Sequence, residues 1–92
     1  MDLCARILLS CFIETYSPPE KYNYEPTVPY KVIALPSAEL QKACWMGSGG
    51  MSWTWACVFH GSNTIYIDEV LEGEPREIIL AHEKAHINGW RH

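Results

Sequence analysis

The segment that decides the fold is 82–92, which reads His-Glu-Lys-Ala-His-Ile-Asn-Gly-Trp-Arg-His. In a helix, His82 and His86 are four residues apart and therefore lie on the same face, one turn from each other. Two imidazoles at that spacing can hold one divalent metal ion, and zinc is the usual occupant of such nitrogen sites. Glu83 lies about 100° around the helix from His82. It therefore flanks the metal, where it can take a proton from a metal-activated water.

The end of the same segment offers a third metal ligand. Gly89 can adopt a positive φ, so we expect it to end the helix as its C′ residue. The chain can then turn back and bring His92 to the metal. Three protein nitrogens and one water would form an open zinc site of the catalytic type. If His92 does not reach the metal, the alternatives are Glu72, Asp68, His60 or a further water.

The pattern HExxHxxGxxH in residues 82–92 resembles the zinc signature of the zincin metallopeptidases, in the longer form found in metzincins. The segment is also similar to one in small phage and prophage metallopeptidases. The resemblance implies that His82, His86 and His92 bind Zn²⁺, that Glu83 is the general base, and that the substrate is a peptide or protein. Metzincins have a Met-turn downstream of this motif, which the 92 residues do not include. The ligands and the base are therefore carried over, but not the full metzincin fold.

Length and composition indicate one small domain over residues 1–92, with 48% hydrophobic residues and a net charge of −4. The absence of a basic cluster disfavours nucleic acid as a partner. No apolar run reaches the ~20 residues of a membrane span. Residues 1–13 are apolar, but Arg6 leaves too short an apolar run for a secretion signal, so we expect a packed helix there. We therefore predict that the protein is located in the cytoplasm. The resemblance to phage proteins implies the host cytoplasm of a phage-infected or lysogenic bacterium. The oligomeric state is not indicated.

The middle of the chain predicts short elements of both kinds. The proline-rich residues 14–31 form a wrapping connector. Residues 32–35 are a buried strand, and a helix capped by Ser37 runs to about Cys44. The Gly-rich residues 45–53 should form a loop.

Two strands, 54–60 and 64–68, should then form an antiparallel hairpin. The fold predicted is α+β: a small zincin-like domain with a short, mostly antiparallel sheet and the zinc-binding helix at the C-terminus. By the same resemblance, 64–68 is the sheet edge, a ledge to which an extended substrate adds as a strand.

The metal-carrying helix should begin near Pro75, with Glu74 as its cap. Its predicted buried stripe consists of Ile78, Ala81 and Ala85, and its predicted water-facing residues are Arg76, Glu77 and Lys84.

The cysteines at positions 4, 11, 44 and 57 allow two interpretations. Cys44 and Cys57 flank the Gly-rich segment and can pair across it. Alternatively, all four are buried thiols of a protein in a reducing compartment.

The leading hypothesis is a zinc metallopeptidase, with Tyr66 or His60 as candidates for stabilising the oxyanion. The alternative is a non-catalytic metal-binding interaction protein that retains the site. A third possibility is a purely structural zinc, with Cys57, Asp68 or a C-terminal carboxylate oxygen completing a closed site.

Overall fold

The computed structural model describes residues 15–48, 53–59 and 61–91. The predicted helix 1–13, His60 and His92 lie outside this part of the chain. The described elements are a 3₁₀ turn (Glu20–Tyr22), β1 (Lys31–Leu35), α1 (Ser37–Ser48), β2 (Ala56–Phe59), β3 (Thr64–Asp68) and α2 (Gly73–Ile87).

The strands form one mixed sheet in the order β1-β3-β2. The predicted α+β class, the C-terminal helix and the antiparallel β2–β3 hairpin are confirmed. The sheet is mixed rather than mostly antiparallel, because β1 pairs in parallel with β3. A parallel pair needs a long crossover, and here the connection from β1 through α1 and β2 provides it.

The position of β3 corrects one prediction. Segment 64–68 is the central strand and not the sheet edge, since β1 and β2 pair with its two sides. Four of its five residues are buried. Its backbone hydrogen-bonding groups face two neighbouring strands, so no side of it is left for an added peptide strand. The predicted substrate ledge at 64–68 is therefore wrong.

Each face of the sheet packs against one helix. Side chains alternate between the two faces of a strand, so Ile65 and Ile67 lie on one face and Tyr66 on the other. Ile65 and Ile67 form the core with Ala56 of β2 and with Ile79 and Leu80 of α2. The Cys44–Cys57 disulfide joins α1 to the opposite face, with Cα atoms 5.7 Å apart.

The disulfide decides between the two interpretations of the cysteines for Cys44 and Cys57. Disulfides persist mainly in oxidising compartments, so this bond does not favour the predicted cytoplasm. Cys4 and Cys11 lie outside the described residues. No helix in the described part of the chain is both long and apolar enough to cross a membrane.

Two helix boundaries differ from the prediction. Helix α1 begins at Ser37 and continues to Ser48, into the segment predicted as a loop. The Pro36 carbonyl accepts the first helical hydrogen bond, from the Leu40 N–H at 2.9 Å, so Ser37 is the first helical residue and not the predicted N-cap. An isolated glycine such as Gly47 costs a helix only about 1 kcal/mol, so it does not have to end one. The Ser37 hydroxyl donates to the buried Asp68 carboxylate at 2.6 Å, a role that the sequence did not reveal. Helix α2 begins at Gly73, two residues before Pro75.

Candidate metal centre

The two histidines of α2 point their outer ring nitrogens at each other. The Nε2 atoms of His82 and His86 are 3.2 Å apart. Two nitrogens bound to one tetrahedral zinc at 2.0–2.1 Å would lie about 3.3 Å apart. The spacing in this chain therefore fits a pair of ligands to one zinc ion, as the i, i+4 pattern predicted.

The inner nitrogens fix how the two rings are protonated. His82 Nδ1 lies 2.8 Å from the Tyr16 carbonyl oxygen, and His86 Nδ1 lies 2.8 Å from the Trp90 carbonyl oxygen. A carbonyl only accepts hydrogen bonds, so the tautomer with the hydrogen at Nδ1 satisfies both carbonyls. The two Nε2 lone pairs then face each other at 3.2 Å, an arrangement that a cation bound between them would stabilise. Metal-binding histidines in proteins commonly have such a carbonyl partner, which sets the tautomer and ring orientation.

The end of α2 places Trp90 over the histidine pair. Gly89 has a φ of +112°, which confirms its predicted role as C′ residue. Its N–H donates to the His86 carbonyl at 3.1 Å, and the Trp90 N–H donates to the Ala85 carbonyl at 3.0 Å. These two bonds define a Schellman motif. The motif turns the chain so that the Trp90 ring stacks on the His86 ring, at 4.9 Å between centroids and 8° between planes.

Trp90 was missed as a site residue at the sequence level. Its position directly after a C′ glycine was the available signal, because the C″ residue of a Schellman motif folds back onto the last helical turn. Trp90 also meets the His82 ring edge-on at 4.9 Å. It therefore contacts two of the three predicted ligands, His82 and His86.

Glu83 lies next to the histidine pair in a largely dry environment. The residue is 7% exposed, and burial raises the pKa of its carboxyl to about 7. No hydrogen bond to Glu83 is found within residues 15–48, 53–59 and 61–91. A carboxyl with a pKa near neutrality and no fixed partner among these residues is suited to accepting and returning a proton.

The buried face of α2 differs in part from the predicted stripe. Ala85 is fully buried as predicted, but the other buried residues of α2 are Ile79, Leu80 and Glu83. Ile78 and Ala81 are only partly buried.

The predicted water-facing side of α2 is also partly covered. Glu77 is exposed, but Arg76 and Lys84 are only half-exposed. Lys84 is partly covered because it pairs with Glu25 at 3.0 Å. Glu25 belongs to a segment that crosses the helix, and nothing in its own sequence predicts that path.

A strap, residues 16–25, crosses α2 beside the histidines. It contributes the Tyr16 carbonyl to His82, and it pairs with Lys84 through Glu25. The Asn88 side-chain amide also donates to the carbonyls of Tyr22 and Tyr24, at 2.9 and 2.8 Å. The strap is therefore bound to the C-terminal half of α2 at three points.

Several alternative ligands are excluded by their positions. Asp68 accepts hydrogen bonds from Ser37 and from the Val70 N–H, and it lies at the α1 side of the sheet. Glu72 precedes His82 by ten residues, about 15 Å along the helix axis. Cys57 is in a disulfide. Asp68 and Glu72 as third ligands, and a closed structural site through Cys57 or Asp68, were therefore wrong predictions.

The predicted third ligand, His92, lies outside the described residues, as does His60. Within the described ranges, no three His, Cys, Asp or Glu side chains come close enough together to hold a metal ion. Tyr66, a candidate for stabilising the oxyanion, packs edge-on against Phe59 on the face that α1 covers. That prediction was also wrong, since α2 lies on the other face.

Comparisons of the chain with protein-family models, with curated proteins and with solved structures find no significant match.

Proposed function

We propose that this chain is a zinc-dependent metallopeptidase that hydrolyses peptide bonds. The observation that carries the proposal is the histidine pair of α2, whose Nε2 atoms lie 3.2 Å apart with both Nδ1 atoms held by backbone carbonyls. This arrangement supports zinc binding by His82 and His86. We propose His92 as the third ligand, on the spacing of the motif alone.

Zinc, when bound, would polarise the scissile carbonyl and make the attacking water more acidic. Glu83 takes the proton of that water and returns it to the leaving amine. Its raised pKa, about 7, supports both steps, because a group that titrates near neutral pH can be a base in one step and an acid in the next.

The substrate class we propose is an extended peptide or an unfolded protein segment. Among the described strands, β2 is the outer one that contacts α2. A peptide adding as a strand beside β2 would use backbone hydrogen bonds for affinity. The proposal thus moves the substrate-binding edge strand, which the sequence analysis assigned to 64–68, to β2.

Metal content is the first test. Mass spectrometry of the purified protein is expected to find about one zinc per chain, and a His86→Ala variant is expected to lose it. No metal in either sample, with thermal stability unchanged by added zinc, would overturn the proposed site.

Activity is tested on a fluorogenic peptide library and an unfolded protein substrate. Glu83→Gln should abolish turnover while zinc stays bound. Glu77→Gln is the matched control, since it makes the same chemical change on an exposed face of the same helix. Equal turnover by Glu83→Gln and the wild type would remove Glu83 from the mechanism.

A non-catalytic metal-binding interaction protein is the second candidate. One observation favours it: aromatic rings crowd the histidine pair, with Trp90 stacked on His86 and Tyr16 edge-on to His82 at 6.0 Å. These rings reduce the space for a substrate. In this case the wild type would bind zinc but cleave nothing, and Glu83→Gln would leave its binding partners unchanged.

We keep the cytoplasm as the proposed location. The Cys44–Cys57 disulfide argues for an oxidising compartment instead. Alkylation of thiols at the moment of cell lysis distinguishes the two, because a cytoplasmic protein should be trapped with both cysteines alkylated.

A further inference from the structure

Building on the proposed zinc site, we infer that Asn88 is a positioning residue. It holds the strap at Tyr22 and Tyr24, so that the Tyr16 carbonyl keeps His82 in the tautomer that presents its Nε2 lone pair to the metal. Asn88 lies within the motif segment but is not one of its ligand or base positions.

Asn88 is a rigid point of attachment. Its backbone N–H donates to the Lys84 carbonyl at 3.0 Å, which fixes it to the last turn of α2. Its side-chain Nδ2 donates to the Tyr22 carbonyl at 2.9 Å and to the Tyr24 carbonyl at 2.8 Å. An amide nitrogen has two hydrogens, and both are directed to the strap.

The chain between Tyr16 and Tyr22 is short and stiff. Pro18 and Pro19 each have a fixed φ, which limits the backbone to extended conformations. The 3₁₀ turn follows at once, closed by the Tyr22 N–H to the Pro19 carbonyl at 3.0 Å. A stiff connection transmits the position of Tyr22 to Tyr16, whereas a flexible one of the same length would not.

The position of Tyr16 matters because a neutral imidazole has only one ring hydrogen. The Tyr16 carbonyl, 2.8 Å from His82 Nδ1, favours the hydrogen at Nδ1. If this carbonyl moves away, the hydrogen can shift to Nε2, where the His86 Nε2 atom 3.2 Å away can accept it. The His82 ring then has no lone pair for the metal at Nε2. His86 differs, since its carbonyl partner, Trp90, is only four residues away in sequence and does not depend on the strap.

The strap also contains a matched control contact. Glu25 pairs with Lys84 and accepts a hydrogen bond from Tyr30, but it is exposed. Exposed ion pairs are screened by water and contribute little. Glu25→Gln should therefore leave the path of the strap unchanged, although it lies in the same segment and contacts the same helix.

The experiment uses full-length protein with ¹⁵N-labelled histidine, free of metal, at mildly alkaline pH. Ring-nitrogen NMR shifts report which nitrogen of His82 carries the hydrogen. The wild type and Glu25→Gln are expected to show the Nδ1–H form. Asn88→Ala, which introduces no strain at a φ of −75°, should show a mixture of both forms. So should the double variant Pro18→Gly, Pro19→Gly, which leaves every residue of α2 unchanged.

Zinc affinity, measured by competition with a chelator, provides the second readout. Loss of an outer-shell partner typically lowers metal affinity about 10–100-fold, so we expect a drop of about 10-fold for both variants. If Asn88→Ala does not fold, the double proline variant carries the test, since it keeps all side-chain contacts of α2.

The outcomes separate this inference from the proposed function. An Nδ1–H signal of His82 that is unchanged in Asn88→Ala overturns the positioning role of Asn88, even if zinc binds tightly; an unchanged signal in the double proline variant overturns the part assigned to the stiff connection. A wild type that takes up no zinc, but whose His82 tautomer changes in both variants, overturns the proposed function and supports the positioning role.

Discussion

Replacing Glu83 with glutamine should stabilise the metal-free protein, and by more as the pH rises. Burial raises the pKa of Glu83 from 4.5 to about 7. Between these values the carboxyl keeps its proton in the folded state but loses it in the unfolded chain. The folded state then binds more protons, so stability falls as the pH rises through this range. The cost of the buried charge is absent below pH 4.5 and fully present above about pH 7.

The size of the effect follows from the two pKa values. At ~1.36 kcal/mol per pKa unit, the full cost is about 3 kcal/mol. Between about pH 5 and about pH 8, linkage gives a change of about 2.5 kcal/mol. Glutamine has the same shape as glutamate but no charge. The stability advantage of Glu83→Gln over the wild type should therefore grow by about 2.5 kcal/mol across this interval.

Urea denaturation in the presence of a chelator, at both pH values, measures this difference. Histidine titrations are common to both proteins and largely cancel in the comparison. Glu77→Gln, at an exposed position, should show no such trend. Saturating zinc should reduce the effect, because a nearby cation favours the carboxylate. An advantage of Glu83→Gln that stays constant, or shrinks, as the pH rises would refute the assignment of burial as the cause of the raised pKa.

Three further variants test the supporting structure. Gly89→Ala should lower the free energy of unfolding by about 1–2 kcal/mol, since a φ of +112° is unfavourable for any residue with a Cβ. It should also weaken zinc binding. Urea denaturation measures the stability and chelator competition the zinc affinity, and unchanged values of the two would contradict the Schellman geometry. The double variant Cys44→Ser, Cys57→Ser should lose about 3 kcal/mol of folding stability, the value expected for a loop of this length. It should keep its zinc affinity, because the disulfide lies on the α1 face of the sheet. A loss of zinc affinity in this variant would show that the two faces are coupled. Ser37→Ala removes a donor to the buried Asp68 carboxylate and should cost about 1.5–3 kcal/mol in urea denaturation; a neutral effect would mean that water replaces the hydroxyl.

Several predictions that depended on local geometry are confirmed, but not all. Strand 32–35 was predicted as buried and is mostly exposed, and helix α1 continues past its predicted end at Cys44. The bounds of β3 match the predicted 64–68, because the turn before the strand and its β-branched and aromatic residues are properties of the segment itself. Gly89 ends the helix with a positive φ, since among the residues there it alone adopts that conformation without strain. The facing of His82 and His86 follows from helix geometry alone.

Predictions that depended on which segments become neighbours failed or were absent. Segment 64–68 was assigned to the sheet edge, because nothing in its own residues shows that β1 pairs with its other side. Asp68 was considered as a ligand, whereas Ser37, 31 residues away, occupies its carboxylate.

The sequence by itself determined the two facing histidines, the adjacent Glu83 and the turn that follows them, because helix period and glycine conformation act within a few residues. Only the tertiary structure decided how each imidazole is held. The carbonyl bound by His86 Nδ1 belongs to Trp90, four residues later in the chain. The carbonyl bound by His82 Nδ1 belongs to Tyr16, 66 residues earlier. The burial that raises the pKa of Glu83 is likewise a property of the packed domain. Contacts between distant segments depend on how the whole chain packs, and no local pattern encodes them.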